Sequence, residues 1–568
     1  FMAATLFEFA PFRLDVAQGV LLRGAERVSL VPKAVELLAL LVQEAGRVVA
    51  RGKLVESLWP DVIVEEGNLT KLVFQLRQEL GDEAIETVPK RGYRFTRQVA
   101  AALPEEALAV LPFVDMSEGR TEGSFCEGLS EEILNAVSRI PGIKVVSRTS
   151  SFRFGGSALD VKEVARVLSA TLLIEGSIRR SGQNLRISAR LVDCASGYQR
   201  WGDTFEREAV DVFAVQREIA RAVAKSLQRE LPEAHDPAAR AVGFEAYELY
   251  LHGRYYWNRR PGEVVWQALR CFEQAVEKEP RFAAAWAGIA DIYATLGSWE
   301  NGVLEPNDAH SKSRRFAARA LEIDPELAEA HTALGYTALH HELEVERSEE
   351  RFRHALTLNP SYAPAHHWYS HTLVAAGRFE QSMVESRQAL ACDPMNLLLT
   401  VHLAWHHHMA REPALTLEQA GRVVALDARY HWGHYFVGWG CEALSEMDRA
   451  VEAMREAVRW SGNNSVMVAG LARAYAAAGD RPRALATVEE LERERAGRAL
   501  LGYELALVHL ALGDREKALQ QLERAHRDRS GWRAYLSRDP RLDPLRSEPR
   551  FAALLAGRRA PNSFDSRK

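Results

Sequence analysis

The sequence predicts a multidomain fold class, with a small α+β unit, a small α/β sandwich domain and an all-α superhelix of repeats in that order. Three observations predict it. At 568 residues the chain exceeds the roughly 250–300 residues at which a single core stops growing. Its apolar pattern changes twice, from short alternating runs with helices, through alternating strands, to a long purely helical stretch. A 34-residue period then runs through the last half of the chain.

Composition narrows the class. Hydrophobic residues at 47% and charged residues at 26% are ordinary for globular chains and exclude fibrous or disordered types. The five cysteines (Cys126, Cys194, Cys271, Cys392, Cys441) form no CxxC pair, which fits a reducing compartment. No run of about 18 apolar residues is present, and the first thirty residues lack an export signal. The expectation is a cytoplasmic protein with no membrane contact. A net charge of −5 means that any nucleic-acid contact comes from a local surface.

Residues 6–98 begin with short apolar runs, Leu6 to Phe9, Phe12 to Leu14, Val20 to Leu22 and Val28 to Leu30, which predict a small antiparallel sheet. Pro32 opens a helix whose core face is Leu37, Leu38, Leu41 and Val42. A second helix runs from about Lys53 to Trp59, and a third from about Gly67 to Leu80. In the third, Leu69, Leu72, Val73, Leu76 and Leu80 share one face, so Asn68, Lys71, Phe74, Gln75 and Gln78 point outward. Thr87 to Phe95, TVPKRGYRF, places two cations on the turn of a hairpin.

This order, carried by SLVPKAVELLALLVQEAGRVVARGKLVESLWPDVIVEEGNLTKLVFQLRQELGD and ETVPKRGYRF, resembles the winged-helix effector domain of OmpR/PhoB-type (CadC-like) transcriptional regulators. The resemblance implies that the third helix enters the major groove of double-stranded DNA while the hairpin reaches the adjacent minor groove. By it, Asn68, Lys71, Gln75 and Arg77 lie at the groove, Trp59 at a phosphate, and Lys90, Arg91 and Tyr93 on the wing. The chemistry suits these places, since amides pair with adenine, Lys and Arg with guanine, and point cations with phosphate. Phe74 departs from the basic residue that many relatives carry there. Residues 1–100 hold thirteen Lys and Arg against thirteen Asp and Glu, so modest affinity per monomer is expected.

Residues 104–230 alternate differently. A buried strand at 107–114, a helix at 125–140, a strand at 143–148 and a helix at 161–170 lead into three alternating strands and a helix from Asp211 to Leu231, an α/β sandwich. It is similar to the TolB N-terminal-like domain found between an effector domain and repeats in related bacterial chains, some of which carry a class III adenylyl cyclase instead. No cyclase metal-binding aspartate pattern stands here, so the resemblance implies a coupling or sensing module and no catalytic site.

Residues 245–530 hold the period. Gly377, Arg411, Ser445, Gly479 and Gly513 fall 34 apart; Ser382, Thr416, Ala450, Ala484 and Ala518 follow, then Ala389, Val423, Ala457, Leu491 and Ala525. This is the tetratricopeptide signature, about eight units stacked so that first helices line a concave groove. Residues 531–568 are expected to cap the array and end in a tail. Register places His340, His367, His371, Trp405, His408, Trp432, Tyr435, Trp439 and Arg473 on the groove, suited to an effector protein, peptide or small ligand.

Thirteen of the eighteen histidines lie between His331 and His434. The pairs His367/His371 and His402/His406 share helix faces at i, i+4 spacing, but no fixed companion ligand argues for metal, and surface histidines or a pH-responsive groove fit the same pattern. GGS at 155–157 lacks a phosphate-loop setting, no catalytic triad is readable, and no cofactor is expected. No receiver domain precedes the winged helix, so aspartyl phosphorylation is not the expected switch. The expected function is a one-component regulator, possible as a homo-oligomer on repeated half-sites. The alternative is an interaction scaffold in which the winged helix docks protein.

Overall fold

The computed structural model describes residues 6–15, 20–23, 26–28, 30–58, 66–89, 91–102, 106–120, 122–155, 160–182, 184–208, 212–229, 242–258, 264–297, 304–494 and 501–557. The chain divides into two compact units, Phe1–Glu105 and Glu106–Lys568.

In the first unit, β1 (Leu6–Phe9), β2 (Phe12–Asp15), β3 (Val20–Arg23) and β4 (Glu26–Arg27) form an antiparallel sheet that β8 (Ala100–Ala102) completes beside β1. The strand predicted over Val28–Leu30 is instead Glu26–Arg27, and β8 lies beyond the predicted end of this domain at residue 98. Helices α1 (Pro32–Gln43), α2 (Arg51–Leu58) and α3 (Glu66–Leu80) follow, with β5 (Val48–Ala50) between α1 and α2. Strands β6 (Ile85–Val88) and β7 (Gly92–Phe95) form the wing hairpin, on which β5 adds as a third strand. Leu37, Leu38, Leu41, Val73, Leu76 and Phe95 are buried in one core. Gly92 is required where β7 crosses β5, because a Cβ there would lie 1.9 Å from the Val49 carbonyl oxygen.

The second unit starts with a mixed sheet of β9 (Ala107–Val110), β10 (Val114–Asp115), β11 (Lys144–Val145), β12 (Leu172–Ser181), β13 (Asn184–Asp193) and β14 (Gln199–Glu208). Its order is β11-β9-β12-β13-β14, with β10 parallel beside β12. Helices α4 (Gly123–Val137), α5 (Arg148–Ser151), α6 (Val161–Leu168) and α7 (Val212–Ser226) accompany it.

Eight helical hairpins follow among the described residues: α8 (Phe244–Trp257) with α9 (Val264–Lys278), α10 (Ala283–Leu296) with α11 (Pro306–Ile323), α12 (Ala328–Thr337) with α13 (Val345–Leu358), α14 (Ala363–Ala376) with α15 (Phe379–Cys392), α16 (Leu397–Met409) with α17 (Pro413–Leu426), α18 (His431–Ala443) with α19 (Met447–Trp460), α20 (Ser465–Ala477) with α21 (Arg481–Glu494), and α22 (Gly502–Ala511) with α23 (Arg515–Arg527). The 34-residue period has a backbone cause. Gly377, Arg411, Ser445, Gly479 and Gly513 all have φ between 64° and 82°, the left-handed residue that ends each first helix. Leu343, one period earlier, is also left-handed at φ 62°. The small residues that follow, Ser382, Thr416, Ala450, Ala484 and Ala518, are all buried, because paired helices approach closely there.

The sandwich and the repeats share one compact unit through specific contacts. Ser150 Oγ donates to Asp393 Oδ1 at 2.6 Å and accepts from the Met395 amide at 2.8 Å, and the Ser147 amide donates to the Cys392 carbonyl at 2.6 Å. Buried Glu131 of α4 pairs with Arg254 of α8 and with Arg148. After α23 the chain does not simply cap the array. Gly531–Tyr535 and Pro540–Leu545 form two 3-10 turns, and Pro549–Ala556 forms α24.

Candidate nucleic-acid interface and repeat groove

Helix α3 is anchored on one face by buried Leu69, Val73, Leu76 and Leu80. Its opposite face exposes Thr70, Lys71 and Gln78, with Asn68 and Gln75 half-buried beside them. Phe74 is 62% exposed, an apolar ring standing among these polar groups. Such a strip can meet base edges: amides and Lys for hydrogen bonds, the ring for a thymine methyl. On the hairpin, Arg91 is exposed at the turn. Trp59 and Lys90 lie outside the described residues.

Two expected contacts are placed otherwise. Arg77 turns back to the wing: its Nε and Nη2 donate to the Ile85 carbonyl at 3.0 and 2.6 Å, and Nη2 also reaches Thr87 Oγ1 at 2.8 Å. Its guanidinium therefore fixes α3 to β6 and is not presented to a base. Tyr93 is 3% exposed and belongs to the core, since β7 is the central strand between β5 and β6 and its side chain packs inward under Arg51, whose guanidinium lies 5.4 Å from the ring.

The side chains that register places on the groove do not form an open surface. His367, His371, Trp405, His408, Tyr435 and Trp439 are instead buried, and Trp432 and Arg473 half-buried, because the chain's own segment 531–546 occupies the concave face. Tyr535 enters it: the hydroxyl lies 3.0 Å from His340 Nε2 and 3.3 Å from His371 Nδ1, and the ring meets Trp405 edge-on at 5.2 Å. Trp532 stacks on Tyr503 at 4.7 Å with 3° between planes. Arg541 lies 3.5 Å over the Trp439 ring and pairs with Asp539, which also takes the Tyr503 hydroxyl. Arg533 donates to the His341 carbonyl at 2.9 Å, Arg538 to the Ala376 carbonyl at 3.1 Å, and Arg411 pairs with Asp543.

Electrostatics match this burial. Burial raises the Asp539 carboxyl, but the Arg541 guanidinium and His408 outweigh it and hold it well below the usual carboxylate range. Burial lowers His340 and His402 to about 3 and His408 to about 4, so these rings are neutral near pH 7. His406 is held structurally, between Ser370 Oγ at 3.1 Å and Ser382 Oγ at 2.9 Å. What remains between the rings is a cavity of about 30 Å³, lined by Tyr336, Trp368, His371, Trp405, Trp439 and Tyr535 among others. That volume suits a water or two, not an organic ligand.

Trp532, Tyr535, Asp539 and Arg541 lie outside the repeat register and were not among the residues predicted for the groove. The signal that could have found them is the stretch GWRAYLSRDPRLDP, where aromatic residues continue after the repeat register stops and two prolines forbid another helix.

Comparison with known proteins places the first unit. Residues 25–95 match the family described as "Transcriptional regulatory protein, C terminal". The chain is 26% identical over 432 residues to the transcriptional regulator HilA of Salmonella typhi, which covers 72% of this chain and 75% of that protein. It is 30% identical over 256 residues to "Putative adenylate cyclase 3" of Rhizobium meliloti, and this match spans only 43% of either protein. Among solved structures, the DNA-binding domain of Escherichia coli CadC is 26% identical and covers 17% of this chain and 97% of that domain, with a TM-score of 0.16. The chain thus carries an OmpR/PhoB-type effector domain ahead of tetratricopeptide-type hairpins. Among the described residues, no helix is long and apolar enough to cross a membrane.

Proposed function

We propose that this protein is a non-enzymatic, cytoplasmic transcriptional regulator in which α3 reads promoter DNA and the repeat groove receives an effector by displacing segment 531–546. The observation that carries the first half is the exposed strip of α3, with Lys71 and Phe74 outward, inside a region that matches a transcriptional regulatory family. Lys71, Asn68 and Gln75 contact base edges, and Arg91 holds a phosphate beside the wing. Two copies on repeated half-sites add the affinity that a charge-balanced monomer lacks.

The second half is supported by the groove's present occupant. An effector that competes with segment 531–546 must offer what that segment offers, aromatic side chains and an arginine, so a peptide of a partner protein is the expected class. The α/β sandwich, bonded to both α8 and the α15–α16 turn, is the element through which a change in the repeats reaches the rest of the chain. Coupling requires that the effector bind the displaced and seated arrangements with different affinity.

Selection of DNA sequences by the full chain, followed by gel-shift titration at several salt concentrations, tests this reading. Lys71→Ala weakens discrimination between sites by about 1–3 kcal/mol, and Arg91→Ala weakens all duplexes alike and flattens the salt slope. Recovery of no motif, or two variants that bind as the parent does, removes the assignment.

A further inference from the structure

We propose that His367, His371 and His402 form a three-nitrogen site for a late first-row divalent cation, zinc being the expected occupant. His402 Nδ1 lies 3.1 Å from His367 Nε2 and 3.4 Å from His371 Nε2, and one ligand atom from each of the three falls within 4.8 Å of the others. Two nitrogens bound tetrahedrally to one zinc at about 2.0–2.1 Å stand about 3.3 Å apart. Two edges of the triangle already have that length. Imidazole is a ligand that zinc, copper and nickel favour, and three protein nitrogens plus water is a known zinc arrangement.

The hydrogen bonds around the cluster preset one lone pair. His340 Nδ1 faces the Tyr336 carbonyl at 3.1 Å, so it must carry the proton, and His340 Nε2 must accept from the Tyr535 hydroxyl at 3.0 Å. His371 Nδ1 can then donate to Tyr535 Oη at 3.3 Å, which leaves His371 Nε2 unprotonated and turned toward His402. This is the outer-shell contact that orients a metal-bound imidazole. Among the described residues His367 Nδ1 has no hydrogen-bond partner, so none of them dictates which of its nitrogens holds the proton. His371 and His402 also line the 30 Å³ cavity, where a water can supply the fourth ligand.

The site rests on the seating of Tyr535 and not on the DNA-binding assignment. Because Tyr535 belongs to segment 531–546, cation binding and seating of that segment should reinforce each other. The experiment uses the full chain without an affinity tag, stripped by chelator and equilibrated with zinc, with cobalt as a spectroscopic substitute. Expected are one tightly held ion per chain, tetrahedral ligand-field absorption for cobalt, and an X-ray absorption signature of three imidazoles. His402→Ala should weaken zinc binding at least tenfold, while His366→Ala, at a ring paired with Glu385, should not. Failure to retain a stoichiometric ion, unchanged retention in a folded His402→Ala chain, or a ligand set without three imidazoles overturns the proposal. The absorption signature of the parent decides the matter even if His402→Ala does not fold.

Discussion

Lowering the pH from about 7.5 to 5.5 should loosen the repeat array around its histidine cluster. His310 and His408 are held at about 4, and His340, His341 and His402 at about 3, in each case chiefly because burial penalises the imidazolium. Arg533 adds to this at His310 and His341, whereas Asp539 opposes it at His408 and Arg541 reinforces it there. The same imidazoles in an unfolded chain titrate near 6.5. Since the folded values are lower, the unfolded chain binds more protons throughout the interval between, and stability falls with pH from about 6.5 downward. At pH 5.5 each ring withdraws about 1.4 kcal/mol, a figure set by the unfolded value alone so long as the folded one stays below about 4.5. Five rings acting independently withdraw roughly 5–7 kcal/mol, comparable with the whole stability margin of a typical domain. Glu132 of α4, pushed up to about 7 by burial, runs the other way and offsets about 2 kcal/mol. Hydrogen exchange separates the two, because α12, α14 and α16 should lose protection by pH 5.5 while α4 does not. Equal protection of α12, α14 and α16 at both pH values would refute the burial account.

Other substitutions probe particular contacts. Arg541→Ala leaves the buried Asp539 carboxylate without its guanidinium, with Tyr503 and the neutral His408 beside it, and should cost about 3–5 kcal/mol, read as a lower urea midpoint; an unchanged midpoint contradicts the seating of the segment. Arg77→Met removes the bonds from α3 to Ile85 and Thr87 and should cost about 1–3 kcal/mol in the first unit, while site preference is retained at saturating protein. Ser445→Gly relieves a left-handed φ of 64° and should raise stability by about 1 kcal/mol, which thermal unfolding measures; a fall in midpoint argues against that conformation.

The repeats were legible because each period combines a backbone requirement with a packing requirement. A left-handed residue at 377, 411, 445, 479 and 513 is followed at fixed distance by a small buried one, and both leave marks in composition. The core of the first unit was equally readable from helical spacing. Residues whose role depends on a distant partner were not. Nothing local in Arg77 tells that its donors meet Ile85 and Thr87, and nothing in Tyr93 tells that β5 covers its strand. The groove failed for the same reason on a larger scale: register gives which side chains face inward, but the segment that covers them is distant in sequence, 195 residues separating Tyr535 from His340, and only topology brings it there.

A covalently tethered occupant changes what concentration means for this groove. The segment 531–546 is present beside its own seat at an effective level of the order of millimolar, as short tethers provide. A free peptide of equal intrinsic affinity therefore loses unless it is comparably abundant, and its apparent dissociation constant is the intrinsic one divided by the fraction of chains whose seat is vacant. If the groove receives a peptide as proposed, weakening the seat would lower the response threshold without touching the effector, so variants at Trp532, Tyr535 or Arg541 would act as gain settings, and a chain cut before residue 531 would respond to peptides that the intact protein ignores.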